Sequence, residues 1–100
     1  MKNSDLTKVV EKCEEVSATL KSLSHPIRLK VLCHVMDEER SVNELTEFCG
    51  ISQSAMSQFL GRMKDEKVLT SRRETTFVYY KLADAKLIKL MKSIKEIYCK

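Results

Sequence analysis

The feature that most constrains the fold lies near the middle of the chain, from Ser41 to about residue 66. Ser41 is followed three residues later by Glu44, the two halves of a capping box. In such a box the serine oxygen takes an orphan N–H of the first helical turn, and the glutamate reaches back to the serine's own N–H. The helix so started, roughly 42 to 48, is expected to stop at Gly50, where the backbone needs positive φ. Ile51 then fills the angle to the next helix, and Ser52 caps a second helix that runs to about residue 66. A short capped helix, a glycine turn and a second capped helix make a helix-turn-helix.

The flanks extend that pattern. Leu6, Val9, Val10, Cys13, Val16, Leu20 and Leu23 fall at helical spacing and predict one long amphipathic first helix, with Ser4 or Asp5 as its cap. His25-Pro26 ends it, because proline lacks a donor and disfavours a helical predecessor. Pro26 also suits the first turn of the next helix, which carries Ile27, Leu29, Val31, Leu32, Val35 and Met36. Asp37-Glu38-Glu39-Arg40 reads as a polar connector. Past Lys67 the period changes to alternation: 68–72 reads as one strand and 77–82 as another, with Phe77 and Tyr79 on one face and Val78, Tyr80 and Leu82 on the other. The hairpin tip is expected at 73–76, which lacks the Asn-Gly or Asp-Gly that would set its turn type. Asp84 caps a last helix with Leu87, Leu90, Met91, Ile94, Ile97 and Tyr98 on one stripe.

The expected fold is therefore mainly α with a small β-hairpin wing, a winged helix-turn-helix of five helices in one domain, 1–100. So small a chain buries only part of its surface, and the apolar stripes of its first and last helices exceed what its core can absorb. Dimerisation through those two helices is the expected outlet, against the plainer alternative that both stripes face the core.

Composition narrows the function. A chain of 100 residues, 43% hydrophobic and 32% charged, has the makeup of a globular protein with no room for a second, catalytic domain. The formal net charge of +4 is compatible with a polyanionic partner, though sign without location does not decide it. No apolar run approaches a membrane span or the core of a signal peptide, so a cytoplasmic protein is expected. Thiols are normally kept reduced there, and Cys13, Cys33, Cys49 and Cys99 then read as free thiols, metal ligands or sensors rather than a disulfide framework.

The run LKSLSHPIRLKVL, followed by SVNELTEFCGISQSAMSQFLGRMKDEKVLTSRRETTFVYYKL, resembles the ArsR/SmtB family of bacterial winged helix-turn-helix repressors across residues 20–82. Within that family it looks most like the persulfide-sensing, BigR/SqrR/HlyU-like branch. That branch pairs a cysteine of the second helix, in an Arg-Leu-x-x-Leu-Cys context, with one near the end of the last helix, in a Tyr-Cys context. Arg28-Leu29-Lys30-Val31-Leu32-Cys33 and Tyr98-Cys99 match in order and context.

The resemblance implies a homodimeric repressor on double-stranded operator DNA and assigns the recognition helix. Reading base edges in a groove about 12 Å wide takes short polar side chains at a helix N-terminus, and Ser52, Gln53, Ser54, Ser57 and Gln58 supply them. Gln53 and Gln58 suit adenine, and the serines suit phosphates or either base. Leu60 and Met63 are expected to point inward. Arg62 and Lys64 lie past the base-reading turn, where phosphate contact is expected, and Arg72 and Arg73 lie beside the wing tip, where basic side chains reach the backbone or minor groove. The family commonly has histidine where Phe59 stands, so base preference does not transfer.

By the same resemblance, Cys33 and Cys99 are redox-sensing thiols that persulfide, polysulfide or an oxidant would join, weakening the hold on DNA. A bland alternative makes Cys33 a small buried hydrophobe and Cys99 a frayed terminal thiol. A reactive thiol needs a lowered pKa and some exposure, and His34 and Lys30 are candidates to favour a Cys33 thiolate. Cys13 and Cys49 fall outside the branch pattern and read as packing residues. The family's metal-sensor sites lack ligands here: the segment before Gly50 holds only Cys49, and after Asp84 the last helix offers no histidine. No metal or cofactor is therefore expected. A metal- or metalloid-responsive repressor is the nearest alternative; a thiol redox enzyme has no Cys-x-x-Cys or nucleotide loop to support it, and an adaptor that has lost DNA is a third reading.

Overall fold

The computed structural model describes residues 3 to 99, with side chains described from Asp5 onward. The elements in chain order are α1 (Asn3–Glu11), α2 (Cys13–Leu23), α3 (Pro26–Val35), β1 (Arg40–Ser41), α4 (Val42–Cys49), α5 (Gln53–Asp65), β2 (Leu69–Glu74), β3 (Phe77–Leu82) and α6 (Ala85–Tyr98). The fold is winged helix-turn-helix. Six helices stand among the described residues where five were expected, because the long first helix divides at Lys12. There φ is −98° and ψ 2°, and the Lys12 amide donates to the Val9 carbonyl three residues back rather than four. A one-residue tightening of this kind leaves the apolar period intact, so the period could not reveal it. Asp5 lies in the first turn of α1 rather than at its cap, and the Ser4 side chain lies outside the described ones.

The other helix starts follow the sequence. His25 Nδ1 accepts the Ile27 N–H at 3.1 Å, with Pro26 opening α3. The Ser41–Glu44 capping box closes in both directions, at 3.1 and 3.0 Å. Gly50 sits in the left-handed region at φ 65°, ψ 33°. Ser52 and Asp84 accept the N–H groups of Ala55 and Lys86.

The wing is a three-stranded antiparallel sheet in the order β1-β3-β2. The hairpin runs in register from Leu69 opposite Leu82 to Glu74 opposite Phe77, so its tip is only Thr75-Thr76, and Arg73 and Glu74 belong to the strand instead. Thr75 takes φ 56°, an uncommon backbone for a β-branched residue. The third strand, β1, lies in the connector that read as merely polar. Two residues carry too little alternation to signal a strand.

The core is built from α3, α4, α5, the hairpin and α6. Val31, Leu32, Leu45, Met56 and Leu60 are fully buried, and Met63, Leu69, Leu87 and Met91 nearly so. Among the stripe residues of the first helices only Leu23 joins them; Leu6, Val9, Val10, Val16 and Leu20 stand exposed, as do Ile97 and Tyr98 on α6. No helix among the described residues is long and apolar enough to cross a membrane.

One polar clamp crosses this framework. Arg28, at the start of α3, donates to both carboxylate oxygens of Glu66 at 2.7 and 3.0 Å, and to the Ser22 hydroxyl and carbonyl near the end of α2. The Ser22 hydroxyl donates to Glu66 in turn, at 2.8 Å. The hydrogen bond from Arg28 holds the Glu66 carboxyl below the usual carboxylate range, which burial opposes. Replacing Arg28 with Ala should cost about 1–3 kcal/mol, the scale of hydrogen bonds to a charged partner. Because the Glu66 carboxyl is depressed in the folded state, its stabilisation is present above the unfolded value of about 4.3 and is lost as pH falls through the folded value. Thermal melts of Glu66→Gln and the parent should therefore differ at neutral pH and converge as pH falls below the ordinary carboxylate range.

Candidate nucleic-acid interface and cysteine pair

Helix α5 separates its two faces cleanly. Met56, Leu60 and Met63 are buried, while Ser52, Gln53, Ser54, Ser57, Gln58 and Arg62 are all exposed. Gln53 and Ser54 open the helix, where the N-terminal dipole also favours an anion. The Ser52 hydroxyl is used in capping Ala55, so it serves the helix as well as presenting itself to solvent. Phe59 faces another way: it is half-buried, its ring 4.9 Å from that of His25 and tilted by 50°. It packs against the cap of α3 rather than joining the polar row.

The two wing arginines differ. Arg73 lies exposed on β2 next to the tip. Arg72 is also exposed, but its guanidinium donates to both oxygens of Glu39, to Glu74 at 2.7 Å, and lies 4.8 Å from the centre of the Tyr79 ring. Sequence reasoning missed this arrangement, because Glu39 is far from Arg72 in the chain and becomes its neighbour only once β1 joins the sheet.

The cysteines sort into three environments. Cys49 is buried, and burial pushes its thiol up, partly opposed by the Lys30 charge. Cys13 is exposed, its thiol donating to the Val9 carbonyl at 3.4 Å, so within this chain it does not pack as expected. Cys33, in the last turn of α3, and Cys99, just past α6, are exposed free thiols. They are neighbours in space: partial burial pushes the Cys33 thiol up, and negative charge on Cys99 pushes it further. Beside Cys99 a depression of about 370 Å³ is lined by Met36, Asp37, Lys92, Lys95 and Glu96. The helpers expected from sequence act elsewhere. Lys30 bears on Cys49, and the His34 ring is stacked 4.3 Å from Phe48 at 14°, with the Arg40 guanidinium 5.5 Å from that same ring. Cys33 therefore has a raised rather than a lowered pKa. Among the described residues, no group of three or more His, Cys, Asp or Glu side chains is placed to hold a metal ion.

A profile of bacterial regulatory proteins of the arsR family matches residues 25–71. The chain is 36% identical over 89 residues to the biofilm growth-associated repressor of Xylella fastidiosa strain Temecula1, covering 89% of this chain and 78% of that protein. The crystal structure of the transcriptional repressor BigR from Xylella fastidiosa superposes with a TM-score of 0.86 at 35% identity, over 100% of this chain and 99% of the other. Reduced HlyU from Vibrio cholerae N16961 does so with a TM-score of 0.86 at 28% identity, over 93% of this chain and 98% of the other.

The raised Cys33 pKa has a measurable consequence. The rate of Cys33 alkylation by iodoacetamide should rise with pH about a midpoint above the ordinary thiol value of about 8.5. In Cys99→Ser the midpoint should move down, because the neighbouring charge is gone, while staying above the ordinary value because burial remains. Peptide mass mapping of the alkylated protein at a series of pH values reads both.

Proposed function

This chain belongs to the arsR family of bacterial regulatory proteins, DNA-binding transcriptional regulators rather than enzymes, and we propose that it is a homodimeric repressor released from double-stranded operator DNA when reactive sulfur or an oxidant joins Cys33 to Cys99. The observation that carries the thiol reading is that these two cysteines, remote in sequence, are both exposed and near enough for a charge on Cys99 to act on Cys33, with Cys99 lining one depression with Met36 and Asp37 just past α3. It is supported by a structural neighbour described by its redox state, reduced HlyU. In the DNA-bound form the exposed row Ser52, Gln53, Ser54, Ser57 and Gln58 faces the major groove, and Arg62 and Arg73 face phosphates. The exposed apolar residues of α1, α2 and α6 form the dimer surface.

The chemistry needs only the thiols and a sulfane-sulfur donor. Cys33, held largely protonated near neutral pH, is the poorer first attacker, since a raised pKa removes more thiolate than it adds in nucleophilicity. A Cys99 thiolate therefore attacks a polysulfide sulfur, and the shortened polysulfide leaves with the electron pair. Cys33 then closes the bridge. With a trisulfide dianion the balance is two thiols plus S₃²⁻ giving one –S–S–S– bridge and two hydrosulfide ions. Persulfidation followed by attack on the cysteine-bound sulfur gives a plain disulfide and hydrogen sulfide instead. The bridge ties α3 to α6 and favours a conformer that holds DNA less well, a coupling of about 1–3 kcal/mol, or roughly 5- to 150-fold in affinity.

Light scattering at micromolar concentration should give twice the mass of one chain. Polysulfide should release the protein from a DNA duplex selected by it from a random pool. Cys33→Ser and Cys99→Ser should each bind that duplex when reduced and keep it on treatment, while Cys13→Ser and Cys49→Ser respond as the parent does. Release of Cys99→Ser by polysulfide would overturn the paired-thiol reading. Release of the untreated parent by stoichiometric zinc or arsenite would replace it with metal sensing.

A further inference from the structure

Arg72 and Tyr79 are paired across the hairpin, and Ser41 pairs with Tyr79 from the other side, so the three residues form one row across the sheet from β2 through β3 to β1. The Arg72 guanidinium lies over the Tyr79 ring of the middle strand and reaches Glu39, one residue before β1. A third anchor, Glu74, lies two residues on along Arg72's own strand, on the same face. The side chain is thus a strap that starts on one edge strand, crosses the central one and ends beside the other. Its donors are turned onto two carboxylates. Those contacts hold the guanidinium more firmly in its charged form and hold the Glu39 carboxyl below the usual range, with Lys81 adding to the latter.

We propose that Arg72 is a positioning residue for DNA binding, one that fixes the wing's angle against the segment joining α3 to β1, and that it makes no phosphate contact of its own. A phosphate approaching Arg72 would meet Glu39 and Glu74 around the same guanidinium, and their negative charge would repel it. Taking Arg72 for DNA would require breaking a two-pronged ion pair and a cation–π contact at once. Arg73, its exposed neighbour on the strand, has no such occupation and is the wing cation open to the DNA backbone. The strap's effect is on register. A hairpin held to β1 across its full width delivers its tip at one angle relative to α5, and specific binding requires helix and wing to engage the same duplex together.

The two roles of Arg72 give opposite results with DNA. Binding is measured against salt on two duplexes, one selected by the protein from a random pool and one with that sequence scrambled. Each phosphate contact contributes about 0.9 to the slope of log affinity against log salt. As a positioning residue, Arg72→Gln leaves that slope unchanged, whereas Arg73→Gln flattens it by about 0.9. Glu39→Gln and Arg72→Lys lower the ratio of selected to scrambled affinity by about two- to fivefold, the upper range for loss of a surface ion pair. The double variant Glu39→Gln/Arg72→Gln has a ratio no lower than the single ones, since either change opens the same strap. A role confined to stability would leave the ratio where it was and would overturn the proposal. So would a flattened slope in Arg72→Gln. Tighter binding of Glu39→Gln to both duplexes alike would overturn it too, because that is what freeing a phosphate-binding arginine would do.

Discussion

The Arg28–Glu66 clamp holds the end of α2 and the start of α3 to the far end of α5, the helix proposed to read DNA. Arg28 is mostly buried, and it is nearly the first residue of α3; Glu66 caps the far end of α5; Ser22 closes α2. Hydrophobic packing sets which face of a helix turns inward, yet it is tolerant of small shifts within that constraint, because it is non-directional. A two-pronged guanidinium–carboxylate contact is not, since its strength depends on direction as well as distance. Packing of Met56, Leu60 and Met63 turns the outer row of Gln53, Ser54, Ser57 and Gln58 to solvent, and the clamp ties the far end of α5 to α3 and α2. The contact is partly exposed on the Glu66 side, so its contribution lies in specifying geometry more than in total stability.

The same helix α3 carries Arg28 at its start and Cys33 in its last turn. The two lie five residues apart on one hydrogen-bonded helix, about 7.5 Å along its axis. At its other end α3 runs into the connector whose Glu39 holds the wing through Arg72. One helix is thus in contact with the recognition helix at its beginning and with the wing beyond its end. The two elements proposed to face DNA, α5 and the hairpin, are both tied to α3 or the segment that follows it, and α3 bears a thiol.

Much of this was legible in the sequence, and the reasons differ by feature. Caps and the Gly50 turn were readable because they are local: Ser41, Glu44, Ser52 and Asp84 satisfy amides two or three residues away, so spacing alone specifies the contact. The buried and exposed faces of α5 followed from helical period. The exposed row was thus expected from spacing, while its assignment to DNA came from resemblance. What could not be read were contacts made across long stretches of chain between charged side chains, the Glu39–Arg72 strap and the Arg28–Glu66 clamp among them. Charges carry no periodicity that names a partner. The Cys33 pKa failed for a related reason: Lys30 and His34 are neighbours in sequence, but helix geometry turns Lys30 toward Cys49 and the stack on Phe48 takes His34.

The position of the cysteine pair decides what a bond between them could do. Cys49, the buried last residue of α4, belongs to the core, and a change there would cost packing. Cys33 and Cys99 lie instead at a seam between α3, which is locked to the recognition helix, and α6, whose Ile97 and Tyr98 belong to the exposed apolar surface of the terminal helices. Val31, Leu32 and Val35 anchor α3 in the core and Leu87 and Met91 anchor α6, while no described residue of α6 past Met91 is buried. A regulator needs only a modest differential, since about 1.4 kcal/mol is tenfold in affinity for a DNA site. A covalent bridge between two exposed thiols, as proposed, can supply that amount, whereas the same chemistry at buried Cys49 would first disturb the core.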